Sequence, residues 1–439
     1  MANIKHLPKD NQACGWYHTS VKRIPKPKLE GNAAARFVVV GAGLTGLAAA
    51  RQLGIRFPND QIILVEAQEI GFGTSGRNSG FAIDLPHDIG SDDYIGEING
   101  ARMQLKMQKQ AQAIIKEIVA KHNIDCDLDH AGKYQAAIEP EGLAVLEAYK
   151  TGLDRLGEPY TIIEEDELPQ HLGTSFYKRA LFTPGTILLQ PAAYVKGAAD
   201  NLPSNVTLYE YTPITSVDYG EKITLGHANG KITADKLVLT NNAFATSFGF
   251  LKNRLLPIFT YASMTRPLNE EEQAALGGKN TWGIIPAHPF GTTLRRTPDN
   301  RLLVRNSMTF NPNGKCTEAN LKVAYDRHVE SYKNRFPMLP NVEFEYTWGV
   351  ALCLSRNHMT FFGELAPNVY GSLCCNGLGI TRGTIGGHLL ADWLAGDRND
   401  CIDYLLNSEK PSMNPPEPLL STGVNANLMY NQRKAGLEA

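Results

Sequence analysis

The chain has 439 residues, enough for two domains sharing a substantial core. Its 43% hydrophobic and 20% charged content is that of a globular protein. A net charge of −2 gives no basis for nucleic-acid or membrane-surface binding. Seven cysteines without framework or Cys-x-x-Cys spacing exclude a disulfide scaffold and a structural zinc site and point to a reduced, cytoplasmic protein. The adjacent Cys374 and Cys375 read as packed thiols.

In chain order, residues 1–35 form a leader arm whose "SVKRIPKPKLEG" reads as a solvated, extended surface segment. No charged n-region and apolar h-region open it, so no secretory signal is expected. From Arg36 the pattern sharpens. "RFVVV" is a buried strand, "GAGLTG" a tight turn, "LAAARQLGI" a helix broken by "FPND", and "QIILVE" a second buried strand, together one βαβ unit. The longest small-apolar run, "FVVVGAGLTGLAAA", is too short and glycine-punctuated to span a bilayer. Residues 100–122 form an amphipathic helix, with Met103, Met107, Ile114, Ile115, Ile118 and Val119 at helical spacing. "GTILLQPAAYVKGAADNL" runs from an extended segment into a helix through Pro191, and strands return at "VTLYEY", "ITSVDY" and "KLVLTNNA". A sheet-rich middle follows ("YASMTRP", "TTLRRTPDNRLLVRNS", "EFEYTWG"), and "NVYGSLCCNGLGITRGTIGGHLLADWLAG" reads as strand, glycine loop, helix. The tail after Gly396 is expected to pack loosely.

Gly41, Gly43 and Gly46 make G-x-G-x-x-G at a strand-to-helix turn. The first permits the turn, the second lets a pyrophosphate approach the backbone, and the third lets helix and strand pack closely. Twenty residues on, Glu66 ends the next strand, where a carboxylate accepts hydrogen bonds from ribose hydroxyls and repels a 2′-phosphate. A nicotinamide domain would continue in alternating βα units. This chain runs instead into "IGFGTSGRNSGFAID", Ile70 to Asp84, rich in small and hydroxyl-bearing residues, which suits a bulky flavin lying along the sheet.

With "VVVGAGLTG", "VEAQEIGFGTSGRNSG" and "CCNGLGITRGTIGGHLLADWL" in view, the chain resembles the D-amino-acid oxidase-like family of FAD-dependent oxidoreductases, from about Arg36 to Gly396. Within the family the resemblance is nearest to the gamma-glutamylputrescine oxidase group. It implies a two-domain α/β plus α+β flavoprotein: a discontinuous Rossmann-like FAD-binding domain (36–90, 185–245 and 346–396), and a substrate domain (91–184 and 246–345) built on a mixed, mainly antiparallel sheet. The tail is 397–439. Carried over by residue, Gly41, Gly43 and Gly46, with Leu44 and Thr45, would hold the FAD pyrophosphate, and Glu66 and Ala67 the adenosine ribose. Gly73, Thr74 and Ser75 would lie beside the pyrophosphate and ribityl chain. Arg77, Asn78, Ser79 and Gly80 would flank the flavin ring, Ile214 would meet adenine through its backbone, and Asn376, Gly377, Leu378, Gly379, Ile380 and Thr381 would border the pyrimidine edge. No metal is implied.

The resemblance further implies oxidation of a C–H bond beside an amine nitrogen, with hydride passing to flavin N5. The imine left behind is hydrolysed, and O2 is the expected acceptor, giving H2O2. The substrate is expected to be a gamma-glutamylated amine or amino acid. Alternatives are a cyclic secondary amino acid, as for L-pipecolate oxidases, and a non-catalytic flavin-binding assembly protein. An apolar, aromatic pocket would favour the neutral amine. Its candidate walls are Phe259, Tyr261, Trp282, Phe290, Tyr346 and Trp348, with Tyr261, Arg77 and Asn78 expected at the catalytic centre. A substrate carboxylate would be held by an arginine fork from Arg296, Arg305, Arg356 or Arg382, with Arg305 and Arg356 favoured. Two departures from relatives stand out: "RLLVRNS" lacks their oxygen-activating lysine, and Cys353 is out of register with their flavin-linked cysteine. Non-covalent FAD is therefore expected. Leu378 stands where putrescine-type relatives carry histidine.

Overall fold

The computed structural model describes residues 2–8, 14–87, 90–312 and 314–439. Two sheets carry the molecule. The nine-stranded sheet runs in the order Ala2–Asn3, Ser216–Tyr219, Ile223–His227, Gly230–Leu239, Ala33–Val40, Ile62–Val65, Val206–Tyr209. The last four are mutually parallel. Val369–Leu373 joins in parallel beside the end of Gly230–Leu239, and Phe361–Ala366 completes the sheet.

"RFVVV" is central because both its faces are apolar, as buried parallel strands require. Phe37 and Val39 pack with Ile62, Leu64 and the helices Leu44–Arg56, Ile98–His122, Pro191–Asp200 and Thr384–Leu394. Val38 and Val40 pack the opposite way, against Ile214, Val217, Leu225 and Leu237. Strand alternation thus divides one short run between two cores.

The eight-stranded sheet is mixed and mainly antiparallel. Its order is Phe344–Leu354, Leu256–Thr265, Leu302–Phe310, Thr293–Arg296, Trp282–Pro286, Lys133–Ala137, Arg179–Thr183, Thr161–Glu164. Only Trp282–Pro286 and Lys133–Ala137 pair in parallel. Trp282, Ile284, Leu294 and Val304 bury one face against the helix Glu318–Arg335. Phe344–Leu354, which overlaps the start of the expected cofactor segment 346–396, hydrogen-bonds along Leu256–Thr265 and so is part of this sheet.

The leader segment "SVKRIPKPKLEG" has no helix or strand and is mostly exposed, as expected, whereas the part before it and the tail pack more firmly than expected. In the leader, Gly15–Thr19 is a short helix, and Cys14 and Trp16 are buried against Met264 and Trp348. Arg23 grips the fully buried Glu210 with two hydrogen bonds of 2.8 and 2.7 Å. The basic run is anchored because a buried carboxylate needs a partner. The tail forms helices Asp400–Asn407 and Leu419–Lys434, and Leu420, Val424 and Leu428 at i, i+4, i+8 pack onto Ile258 and Phe310. Cys374 is buried and Cys375 partly so, both as free thiols. Among the described residues, no helix is long and apolar enough to cross a membrane.

Candidate functional site

A groove opens at the C-terminal ends of the parallel strands Ala33–Val40, Ile62–Val65 and Gly230–Leu239, where open α/β sheets bind ligands. Gly41, Gly43, Leu44, Thr45, Glu66, Ala67, Gly73, Thr74, Ser75, Asn78, Ile214, Gly377 and Gly379 line it. Gly41 has φ +99, and a side chain there would meet the backbone of Asn241 at 3.1 Å. At Gly46 a Cβ would stand 1.8 Å from the Gly41 carbonyl oxygen, so this glycine serves the close turn and does not line the groove. The N-cap residue Gly43 has no side chain to offer the helix Leu44–Arg56, and a helix N-terminus suits an anion.

Glu66 accepts hydrogen bonds from the backbone N–H groups of Ala42 at 2.9 Å and Gln68 at 3.0 Å. Burial raises its pKa, and those N–H groups hold the rise down. Ser75 Oγ accepts from the Leu44 N–H, tying the second glycine stretch to the first. Thr74 donates to the Ala351 carbonyl at 2.7 Å. Asn241, which sequence reasoning missed inside a presumed strand, also lines the groove. Both atoms of its amide are buried without a partner among the described residues.

The stretch from Ile70 to Asp84 is only partly shaped by this groove. A Cβ on Gly76 would stand 2.0 Å from the Gly71 carbonyl oxygen. One on Gly80 would stand 2.0 Å from Arg295 Nη1 and 2.2 Å from the Leu189 carbonyl oxygen. What crowds Gly80 is therefore Arg295, which donates to the Ser79, Gly80 and Leu189 carbonyls and lies over the Trp16 ring. Arg77 is also corrected. It is buried, its Nε donates to the Phe72 carbonyl at 2.5 Å, and it lines neither cavity. Asn78 stays at the site, its side chain bridging the Ser75 carbonyl and the Gly80 N–H.

A second cavity of about 760 Å³ adjoins the groove, with Asn78, Leu352, Gly377 and Gly379 bordering both. Ser79, Asn376, Leu378, Ile380, Arg305 and Arg356 line it too. The Asn376 side chain is committed to tying its loop to the turn after Phe344–Leu354, accepting from Ser355 N and donating to the His358 and Cys374 carbonyls. Thr381 is buried off the cavity, inside a π-helical turn, Gly379–Gly383, that opens the helix Thr384–Leu394.

Tyr261 lies outside this cavity. Strand alternation sends Ile258 and Thr260 to it and turns Phe259 and Tyr261 toward Ala324 of the helix Glu318–Arg335. There the Tyr261 hydroxyl bonds Thr309 Oγ1 at 2.6 Å. Of the expected aromatic walls only Phe290 lines the cavity. The tail supplies a wall that sequence reasoning missed, including Asn414, Leu420, Val424 and Asn427. The i, i+4, i+8 stripe from Leu420 to Leu428 was the signal for it.

The arginines separate clearly. Arg296 is consumed by the Gly277 and Lys279 carbonyls. Arg382 bonds Gln104 beside a smaller neighbouring cavity. Arg356 is exposed at the cavity wall. Arg305 is partly buried, and its guanidinium has no hydrogen-bond partner or counter-ion among the described residues; desolvation pushes it down to about 10. No acidic side chain is among the described residues lining this cavity.

The groove fits a dinucleotide. It combines a helix N-terminus, a carboxylate at the end of the second strand, a glycine approach and an amide unpaired among the described residues, and it leads directly into an apolar chamber. Comparison with known proteins agrees. Gamma-glutamylputrescine oxidoreductase of Escherichia coli (strain K12) is 28% identical over 364 residues, covering 82% of this chain and 83% of the relative. The crystal structure of glycine oxidase from Geobacillus kaustophilus superimposes with a TM-score of 0.71 at 17% identity, over 88% of this chain and 100% of that one. That of L-proline dehydrogenase from P. horikoshii gives 0.67 at 16%, over 86% and 97%. The family model described as DAO, FAD dependent oxidoreductase, matches residues 36–393, and the chain belongs to that family.

Proposed function

We propose that the protein oxidises an amine bearing a carboxylate, specifically a gamma-glutamylated amine, at its C–N bond. FAD would be held non-covalently in the groove and O2 would act as acceptor. The observation that carries this reading is Arg305, a partly buried guanidinium that lines the chamber bordering the groove and has no counter-ion among the described residues. A charge left unpaired at such a site is costly, and a planar carboxylate satisfies it through two parallel hydrogen bonds. The relative named above as a gamma-glutamylputrescine oxidoreductase supports the substrate class.

Bound in the groove, FAD supplies the two-electron acceptor for the C–H bond beside the nitrogen. The residues of the chain do the rest. Gly41, Gly43 and the first turn of Leu44–Arg56 would receive the pyrophosphate, Glu66 the ribose, and the turn at Gly377–Gly379 would border the ring at the joint between groove and chamber. Ile258, Val350, Leu352 and Phe290 make the chamber apolar, and the absence of acidic side chains among its described walls removes any partner for an ammonium ion. Desolvation and the nearby Arg305 charge both favour the neutral amine, the form that can release electrons. No general base is required of the protein; orientation supplies much of the rate.

A chamber of about 760 Å³ suits an extended acylated amine better than the closed cage a cyclic amino acid needs. Anaerobic mixing of the purified flavoprotein with a panel of amines tests the reading through loss of the visible absorbance of oxidised flavin. Bleaching by a gamma-glutamyl diamine and not by L-pipecolate is expected, with rapid recovery on admitting oxygen. Bleaching by the cyclic amino acid alone would replace this reading with the alternative. Failure of every amine would leave a flavin-binding protein without this turnover.

A further inference from the structure

The geometry points to Asn414 as a specificity-determining residue that recognises the amide bond of the substrate, an inference that rests on the acylated-amine reading above. Asn414 lines the same chamber as Arg305. It is 5% exposed, and neither its amide nitrogen nor its amide oxygen has a hydrogen-bond partner among the described residues. A buried primary amide with nothing to bind is uncommon, because its donors and its acceptor lose water without replacement.

The residue is held in place by its backbone rather than its side chain. Its N–H donates to the Asn253 carbonyl at 2.7 Å. Two residues before it, the Ser412 N–H donates to Asn357 Oδ1, and Arg254 donates to the Pro411 carbonyl at 2.6 Å. Pro415 and Pro416 follow and restrict the chain further. The side chain is therefore positioned in advance and left uncommitted, the condition under which a recognition group costs least on binding.

The chemistry selects the ligand group. A primary amide offers N–H donors and a C=O acceptor on one plane, and a secondary amide presents the complementary C=O and N–H. A carboxylate would satisfy only the donors, an ammonium only the acceptor, and a hydrocarbon chain neither. An acylated amine carries both the carboxylate that Arg305 lacks and the amide that Asn414 lacks.

The test compares a gamma-glutamylated diamine with the ester made from the corresponding amino alcohol, which keeps the carboxylate, chain and reacting amine but has no amide N–H. Steady-state kinetics are measured on wild type, Asn414→Leu and Asn414→Ala, together with flavin content and melting temperature. Wild type is expected to prefer the amide about tenfold or more in kcat/KM, chiefly through KM. Both variants should lose that preference, keep their flavin, and melt no lower than wild type in the Asn414→Leu case, since no hydrogen bond is removed. A preference retained in both variants, or none in wild type, overturns the role of Asn414 and leaves the function intact. If wild type oxidises neither compound, the acylated-amine reading falls and this inference falls with it.

Discussion

The hydroxyl oxygen of Ser75 lies 3.0 Å from the Leu44 backbone nitrogen and accepts its hydrogen bond. One glycine-rich stretch thus caps the first turn of the helix that the other begins. A Cβ on Gly43 would come within 2.5 Å of that same oxygen. Gly43→Ala must therefore push Ser75 away or lose the turn. The variant should purify with less than a tenth of the wild-type flavin, whereas Ser75→Ala, which leaves one N–H to water or ligand, should weaken FAD only several-fold. Flavin content and titration with FAD decide this.

Arg305 sets activity against stability. Arg305→Met removes a partly desolvated charge that is unpaired among the described residues, so the substrate-free protein should melt no lower than wild type. The same change should lower kcat/KM for a carboxylate-bearing amine by about 100-fold or more, as for a lost charge-assisted pair, while leaving the flavin spectrum unchanged. A variant that melts lower and keeps its activity would show that the guanidinium is structural.

Glu210 ties the leader to the cofactor loop. It is fully buried and receives Arg23, the Lys26 N–H and the Ile70 N–H. Arg23→Met would leave its charge unpaired, costing about 3–5 kcal/mol of stability. Chemical denaturation should show that loss, and Arg23→Met combined with Glu210→Gln should recover part of it.

Lys133 supplies a pH signature. It is buried on the eight-stranded sheet, over the Tyr149 ring, and desolvation pushes its pKa down to about 8 from an ordinary 10.5. Below pH 8 it is charged both folded and unfolded, and burying that charge destabilises the fold. Between about 8 and 10.5 the unfolded chain binds more protons, so this residue's contribution to stability rises with pH across that window. Lys133→Met should be more stable than wild type at pH 7 by up to about 3 kcal/mol, with the difference shrinking by pH 10. Thermal melts across that range give the result.

The groove was legible because its residues act through backbone and sit together in the chain: a strand, three glycines and a carboxylate at fixed spacing dictate the local geometry. Gly80 and Arg77 misled for a physical reason. A small residue records that something approaches, not what, and here the neighbour is Arg295, distant in sequence. Tyr261 failed on strand parity, since the choice between Thr260 and Tyr261 depends on which face the eight-stranded sheet turns to the chamber. The leader and the tail were read by composition, which is blind to Trp16 meeting Trp348 or Leu428 meeting Ile258 across the fold. Arg305 could be shortlisted from sequence, but its lack of a partner is a property of the packed chain alone.

The strand Phe344–Leu354 belongs to the substrate sheet, yet Ala351, Leu352 and Cys353 line the cofactor groove, and Leu352 and Leu354 line the chamber. It is a party wall between two tenants. Filling either side restrains the same backbone, so loading the flavin should slow amide hydrogen exchange along Leu256–Thr265, the strand paired to it, although few of that strand's residues approach the groove.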